Sequence, residues 1–169
     1  MFDKMAVRGW SYGGILGGTT ITKTDRFKAA SLGAGVFDWT SEYAMGFNHD
    51  VRLWYIGGEP WTNAEEYRNR SAAMHADKVS TPTLFLHGSS DRVDTPQQSL
   101  IFFTYLKDIG EVDTRYIEFK REGHGIREPR NQRVRDVEEI RWIQKYARGI
   151  EWEPWERDEK EDENSDEKE

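Results

Sequence analysis

The sequence predicts an α/β fold, a parallel sheet with helices on both faces, and three observations carry that reading. Stretches of strand length alternate with helical stretches in the order strand, helix, strand, insert, strand, helix, strand, helix. Parallel strands need such crossovers, because the chain must return to the same end of the sheet before each new strand. The stretch Thr83-Leu84-Phe85-Leu86-His87 is continuously apolar rather than alternating, as expected of a central strand covered on both faces. Gly9-Trp10-Ser11-Tyr12-Gly13 marks a tight turn from a strand into a helix.

Residues 5–9 read as a buried strand and residues 12–24 as the helix after that turn, ending near Lys23-Thr24-Asp25. Phe27 to Leu32 reads as a second strand, stopped by Gly33-Ala34-Gly35. Residues 36–70 are aromatic and irregular, with Phe37, Trp39, Tyr43, Phe47, Trp54, Tyr55, Trp61 and Tyr67, and read as short helices and loops. Residues 64–77 within and beyond them are helical or turn-like. Thr81-Pro82 opens the strand 83–87, which Gly88 stops. Residues 96–109 read as a helix, with Pro96 in its first turn and Gly110 at its end. Strand 113–119 follows. Helix 131–148 closes the pattern, with Val134, Val137, Ile140, Ile143 and Ala147 forming one apolar face and Gly149 as its stop.

The 169 residues suffice for one domain or part of one, and 36% hydrophobic with 13% aromatic residues is enough for a core. The net charge of −7 belongs to the C-terminus. Residues 151–169 hold eleven acidic and three basic residues, a net of −8, so residues 1–150 are near neutral. The expected organisation is a folded domain over 1–150 and an acidic, disordered tail over 151–169, where almost nothing apolar remains to bury. There is no cysteine, which excludes disulfides, thiolate metal sites and a cysteine nucleophile. No apolar stretch reaches the roughly 18 residues of a membrane span, and the N-terminus lacks a signal-peptide pattern. A cytoplasmic location is expected, with no membrane partner. No basic patch with interleaved aromatics points to nucleic acid.

The chemistry starts at Ser11. A serine on so tight a turn has a strained backbone, and side chains two positions away would crowd it; Gly9 and Gly13 remove that crowding. The turn lifts the Ser11 hydroxyl clear of the sheet at a helix N-terminus, where the Tyr12 N–H can meet a developing oxyanion. A serine nucleophile needs a base, and the base an orienting acid, expected in the chain order Ser, Asp or Glu, His. Asp91 follows strand 83–87 and His124 follows strand 113–119, flanked by Gly123 and Gly125. All three residues therefore fall past the carboxyl ends of parallel strands, where open α/β sheets place their sites. Asp94 is the alternative acid, and placement nearer the strand end favours Asp91. His87 reads as a strand-end residue, packed or hydrogen-bonded, and His49 and His75 as loop and surface residues. No two histidines have metal-ligand spacing, so neither a metal nor another cofactor is expected.

Gly9-Trp10-Ser11-Tyr12-Gly13-Gly14, the stretch Tyr67 to Lys78, Thr81 to Asp91 with Gln98 seven residues later, and Gly123-His124-Gly125 together resemble the prolyl oligopeptidase family of serine peptidases, which includes dipeptidyl and acylaminoacyl peptidases. The likeness runs from residue 3 to about 148. It implies the C-terminal portion of an α/β-hydrolase domain, with Ser11, Asp91 and His124 as the triad and a peptide as substrate. In dipeptidyl peptidase-like members an aromatic segment after the second strand lines the pocket for the residue before the scissile bond. Val36 and Trp39 match that spacing, with Tyr12 as a further wall; the plain alternative for Trp39 is core packing. The family's Asp-x-Arg-Val-Pro loop is altered here to Asp91-Arg92-Val93-Asp94-Thr95-Pro96, which removes the basis for assigning Arg92 an inherited role.

The resemblance also implies strands and a second oxyanion donor ahead of residue 5, so the first strand is expected to have an open edge. Two functional expectations follow. One is a serine peptidase acting through an acyl-enzyme, impaired as an isolated segment, with a carboxylic ester hydrolase of the same fold as its close variant. The other is a non-catalytic truncated or split-chain fragment, with a partner chain or a missing N-terminal region expected to complete the sheet; a homo-oligomer is a separate expectation.

Overall fold

The computed structural model describes residues 4–47 and 49–152. Four parallel strands, β1 (Met5–Trp10), β2 (Phe27–Gly33), β3 (Thr83–Gly88) and β4 (Thr114–Phe119), form one sheet in the order β1-β2-β3-β4. Each new strand adds to the same side of the sheet, so connections of one hand must lie on one face. That face carries α1 (Tyr12–Ile21), a 3₁₀ segment (Ala72–Lys78) and α5 (Gln97–Ile109), packed on Ile21, Leu32, Phe37, Phe85, Phe102 and Leu106. After β4 the chain crosses to the other face as α6 (Pro129–Ile143) and a π-helical turn (Gln144–Arg148). There Trp142 and Ala147 pack on Leu84, Leu86 and Phe119. The strands show the period of two that this requires: Ala30, Leu32 and Phe85 point one way, and Ala29, Leu84 and Leu86 the other.

The insert between β2 and β3 folds into α2 (Trp39–Met45), α3 (His49–Ile56) and α4 (Ala64–Arg70) around a small core of Val36, Trp39, Ile56 and Tyr67. Asp38 caps α2 by accepting the Ser41 N–H at 3.0 Å.

Several expectations change. Strand β1 is half-buried rather than buried, because among the described residues it ends the sheet and pairs only with β2, the open edge expected of it. Helix α1 stops at Ile21, three residues early. Helix α6 starts two residues early, with Pro129 in its first turn, and gives way to the π-helical turn before Gly149 ends it at φ +68°.

The larger correction concerns the buried face of α6. Of the expected apolar face, Ile143 and, in the π-helical turn, Ala147 pack on the sheet, whereas Val134 and Ile140 are exposed and Glu139 and Trp142 take their place on the buried side. Glu139 can be buried because the Ser31 hydroxyl donates to its Oε1 at 2.8 Å and Arg8 Nη2 reaches its Oε2 at 2.9 Å. Apolar spacing alone could not identify those partners. Val134 and Val137 instead line a surface groove with Arg130, Arg133 and Arg141. The expected acidic tail lies almost wholly outside the described residues.

Candidate active site

Ser11 sits between β1 and α1 with φ +56° and ψ −121°, a backbone state an L-residue adopts only under constraint. The constraint comes from both sides. The Ser11 N–H is held by the Gly33 carbonyl at 2.9 Å, and the Ser11 carbonyl accepts the Ile15 N–H at 3.1 Å. A Cβ at position 9 would lie 2.1 Å from the Gly13 carbonyl oxygen, so only glycine fits there. Gly13 itself is a correction: beyond its own helix, a Cβ there would meet nothing within 4 Å. The crowding that keeps this turn tight is therefore one-sided.

The strand ends are level, with Trp10 opposite Gly33, Gly33 opposite Leu86, and Leu86 opposite Ile117. Past that row Ser11 lies one residue on, Asp91 five and His124 seven, so the loops lengthen as the strands stand farther from β1. The loops bring the three side chains together. His124 Nε2 is 2.8 Å from Ser11 Oγ, and His124 Nδ1 is 2.8 Å from Asp91 Oδ2. With the Nδ1–H given to Asp91, Nε2 is left to accept the Ser11 proton.

Asp91 is buried, and burial alone would raise its pKa. The N–H donors of His124 and His87, with the Val93 N–H on Oδ1, outweigh that and hold it at about 2. The His124 pKa is raised, chiefly because Asp91 accepts its Nδ1–H, while burial opposes the rise. Asp94 faces this network through its backbone: its N–H reaches Asp91 Oδ1 at 3.3 Å and its carbonyl lies 2.8 Å from His87 Nε2.

Four supporting residues escaped the sequence reading. The Trp10 indole N–H donates to the His124 carbonyl at 2.7 Å, tying the histidine loop to β1. Gly88 lets that loop pass, since a Cβ there would lie 2.2 Å from the Gly123 oxygen. The buried Glu122 carboxylate accepts the Arg127 and Glu128 N–H groups and the Asn131 amide, which fixes the chain just after His124. Burial works against the ionised form of Glu122, but these donors lower its pKa. The fourth is Gln98, whose Oε1 accepts the Phe37 and Asp38 N–H groups at 3.0 and 2.8 Å and so holds the segment that carries Val36 and Trp39. The presence of Gln98 seven residues after Asp91 was the only sequence signal for it.

Tyr12, first residue of α1, has an N–H at the helix end where intrahelical partners are lacking. Its ring is half exposed and stacks on Tyr55 at 6.2 Å, and Tyr55 meets Trp39 at 6.0 Å. Val36 and Trp39 are buried in the insert core, so packing accounts for most of their surface. His75 bonds the Asn69 carbonyl away from this site. Among the described residues no group of three His, Asp or Glu side chains is arranged to hold a metal ion.

The chain is 28% identical over 124 residues to the uncharacterized peptidase YuxL of Bacillus subtilis, covering 73% of this chain and 19% of that protein. It is 28% identical over 170 residues to dipeptidyl-peptidase 5 of Aspergillus oryzae, covering 86% and 23%. The chain thus spans about a fifth of the length of these curated relatives. Among solved structures it superposes on Pyrococcus horikoshii acylaminoacyl peptidase with a TM-score of 0.81 and 29% identity, over 90% of this chain and 26% of that one. For a Mycobacterium tuberculosis puromycin-hydrolyzing peptidase the TM-score is 0.76 and the identity 33%, over 86% and 23%. The parallel sheet with its covering helices is therefore a portion of an α/β-hydrolase fold. The profile of the prolyl oligopeptidase family matches residues 2–149, and the chain belongs to that family.

Proposed function

We propose that this chain carries the catalytic triad of a serine peptidase that cleaves peptide or aminoacyl bonds through an acyl-enzyme. The observation that carries the proposal is the continuous chain Ser11 Oγ–His124–Asp91, with both links at 2.8 Å. His124 Nε2 takes the Ser11 proton as Oγ attacks the carbonyl carbon. The Tyr12 N–H receives the oxyanion. His124 then returns the proton to the leaving amine, and a water repeats the sequence to release the acid. Asp91 keeps the Nδ1–H of His124 in place and stabilises the imidazolium. The exposed rings of Tyr12 and Tyr55, backed by the buried Trp39, receive the apolar side chain before the scissile bond, and Val36 lies in the core beneath.

The test is covalent labelling with a fluorophosphonate, with Ser11→Ala as control. Labelling of the native chain but not the variant is expected, and equal labelling of both overturns the assignment. Hydrolysis of aminoacyl amides separates a peptidase from an ester hydrolase of the same fold, which would turn over acyl esters alone. The position of β1, paired on one side only among the described residues, favours a second reading, in which a partner chain or a further segment adds beside it and completes the site. A folded chain that labels only after the partner is added would select that reading.

A further inference from the structure

We propose that His87 is a positioning residue of the triad, a second imidazole that shares Asp91 Oδ2 with His124 and helps to hold that carboxylate in place. The inference rests on the hydrolase reading of the site but is tested apart from it.

His87 is the fifth residue of β3 and is fully buried. Its Nε2 lies 2.8 Å from the Asp94 carbonyl oxygen and 3.2 Å from Asp91 Oδ2. Both of those atoms are acceptors, so Nε2 must carry a proton; a lone pair there would face two oxygens. The other ring nitrogen, Nδ1, is 2.8 Å from Ser99 Oγ in the first turn of α5, and with the proton on Nε2 it can accept the Ser99 hydroxyl hydrogen bond. The ring is thus fixed at both ends.

Asp91 is held at all its positions as a result. Oδ1 takes the Val93 and Asp94 N–H groups, and Oδ2 takes one N–H from each imidazole. Rotation of the carboxylate would break four hydrogen bonds at once. By sharing Oδ2, His87 also limits how strongly Asp91 draws on the His124 proton. The charged and titratable groups around this cluster are Asp91 and Asp94 on the loop after β3, and Glu118 on β4, which lies within electrostatic reach of His87.

Two substitutions separate reach from polarity. Asparagine places its amide where Nδ1 lies, so His87→Asn keeps Ser99 company but cannot reach Asp91. Glutamine places its amide nitrogen where Nε2 lies, so His87→Gln can still donate. The measurement is the titration of His124 followed by NMR of the labelled imidazole carbons in the folded full chain, with the fluorophosphonate rate against pH beside it.

Relieved of one donor, Asp91 accepts more strongly from His124. The His124 midpoint in His87→Asn is therefore expected to rise by about half a pH unit or more, and His87→Gln is expected to restore it. Ser99→Ala, which weakens the His87 donor without touching Asp91, shifts the midpoint the same way by less, and serves if His87→Asn does not fold. A folded His87→Asn, or Ser99→Ala in its place, with the original His124 midpoint overturns the proposal and leaves His87 a packing residue. Midpoint shifts in the variants beside a wild-type chain that does not label, with or without an added partner, overturn the peptidase reading instead and leave the positioning role of His87 standing.

Discussion

Replacing Asp91 with asparagine changes one atom, and the structure indicates why that one atom is so damaging. Oδ1 of Asp91 accepts two backbone N–H groups, from Val93 at 2.9 Å and Asp94 at 3.3 Å. An asparagine must therefore keep its oxygen there and turn its NH₂ toward the Oδ2 position. That position faces His124 Nδ1 at 2.8 Å and His87 Nε2 at 3.2 Å. Against His124 the amide donates, so Nδ1 must accept and the ring proton moves to Nε2. A protonated Nε2 points at Ser11 Oγ and cannot take its proton.

The lost step is the general-base step itself, for which the tautomer error in Ser-His-Asp triads lowers the rate about 10⁴-fold, or about 5.5 kcal/mol of barrier. Against His87 the amide makes a donor-to-donor contact that a folded chain must relieve, so a modest loss of stability accompanies the loss of rate. The assay is the second-order rate of fluorophosphonate labelling in Asp91→Asn beside wild type, with both folded by circular dichroism. A loss below about tenfold would refute the argument, because it would mean that His124 keeps the correct tautomer without Asp91.

The remaining predictions use the same chain. The labelling rate should fall as pH drops through the His124 pKa, and Asp91 raises that pKa, so the midpoint lies above the ordinary histidine value of 6.5; a midpoint below 6.5 contradicts it. Asp91 titrates lower in the folded chain than unfolded, at about 2 against 3.8, so its contribution to stability is present above pH 4 and is lost toward pH 2 on acid titration. Gly88→Ala would drive a methyl to 2.2 Å from the Gly123 oxygen and move His124, lowering the labelling rate about 10²-fold while the fold survives denaturant titration. Glu139→Ala leaves the buried Ser31 hydroxyl without its acceptor, which should cost about 1–3 kcal/mol in urea unfolding with little change in labelling. Gln98→Ala strips the buried Phe37 and Asp38 N–H groups of their acceptor. It should weaken binding of apolar fluorophosphonates more than it slows bond formation.

What was legible in the sequence was whatever depends on order and local geometry. Ser11, Asp91 and His124 each follow a strand in the expected sequence, and parallel strands leave their carboxyl ends at one edge, so their meeting needed no knowledge of packing. The face of α6 was illegible for the opposite reason. Val134 and Ile140 recur with the right period, but burial of Glu139 is decided by Ser31 and Arg8, on two strands far away in sequence. His87 shows both sides. Its place at the end of β3 was readable, whereas its bond to Asp91 depends on how the loop after β3 folds back and on Ser99 arriving from α5. The half-exposed state of β1 follows from its place at the end of the sheet among the described residues; its local pattern reads as a buried strand, while the likeness to a longer domain implied the open edge.

The start of α5 joins two parts of the site that are separate in sequence. Gln98 and Ser99 are consecutive, both fully buried, and point about 100° apart around the helix. Gln98 holds the Phe37–Asp38 backbone, which carries Val36 and Trp39, and its amide nitrogen donates to Ser41 in α2. Ser99 holds His87, which bears on Asp91 and through it on His124. A rigid helical turn therefore ties the aromatic surface beside Ser11 to the acid that orients its base. Displacement of that turn would loosen both at once, whereas loss of either side chain alone would loosen one. This is why Gln98→Ala and Ser99→Ala, adjacent on one helix, are expected to separate: the first acts on binding, the second on the titration of His124. Two buried polar side chains at a helix start are otherwise hard to account for, since an apolar pair there would avoid the desolvation of an amide and a hydroxyl.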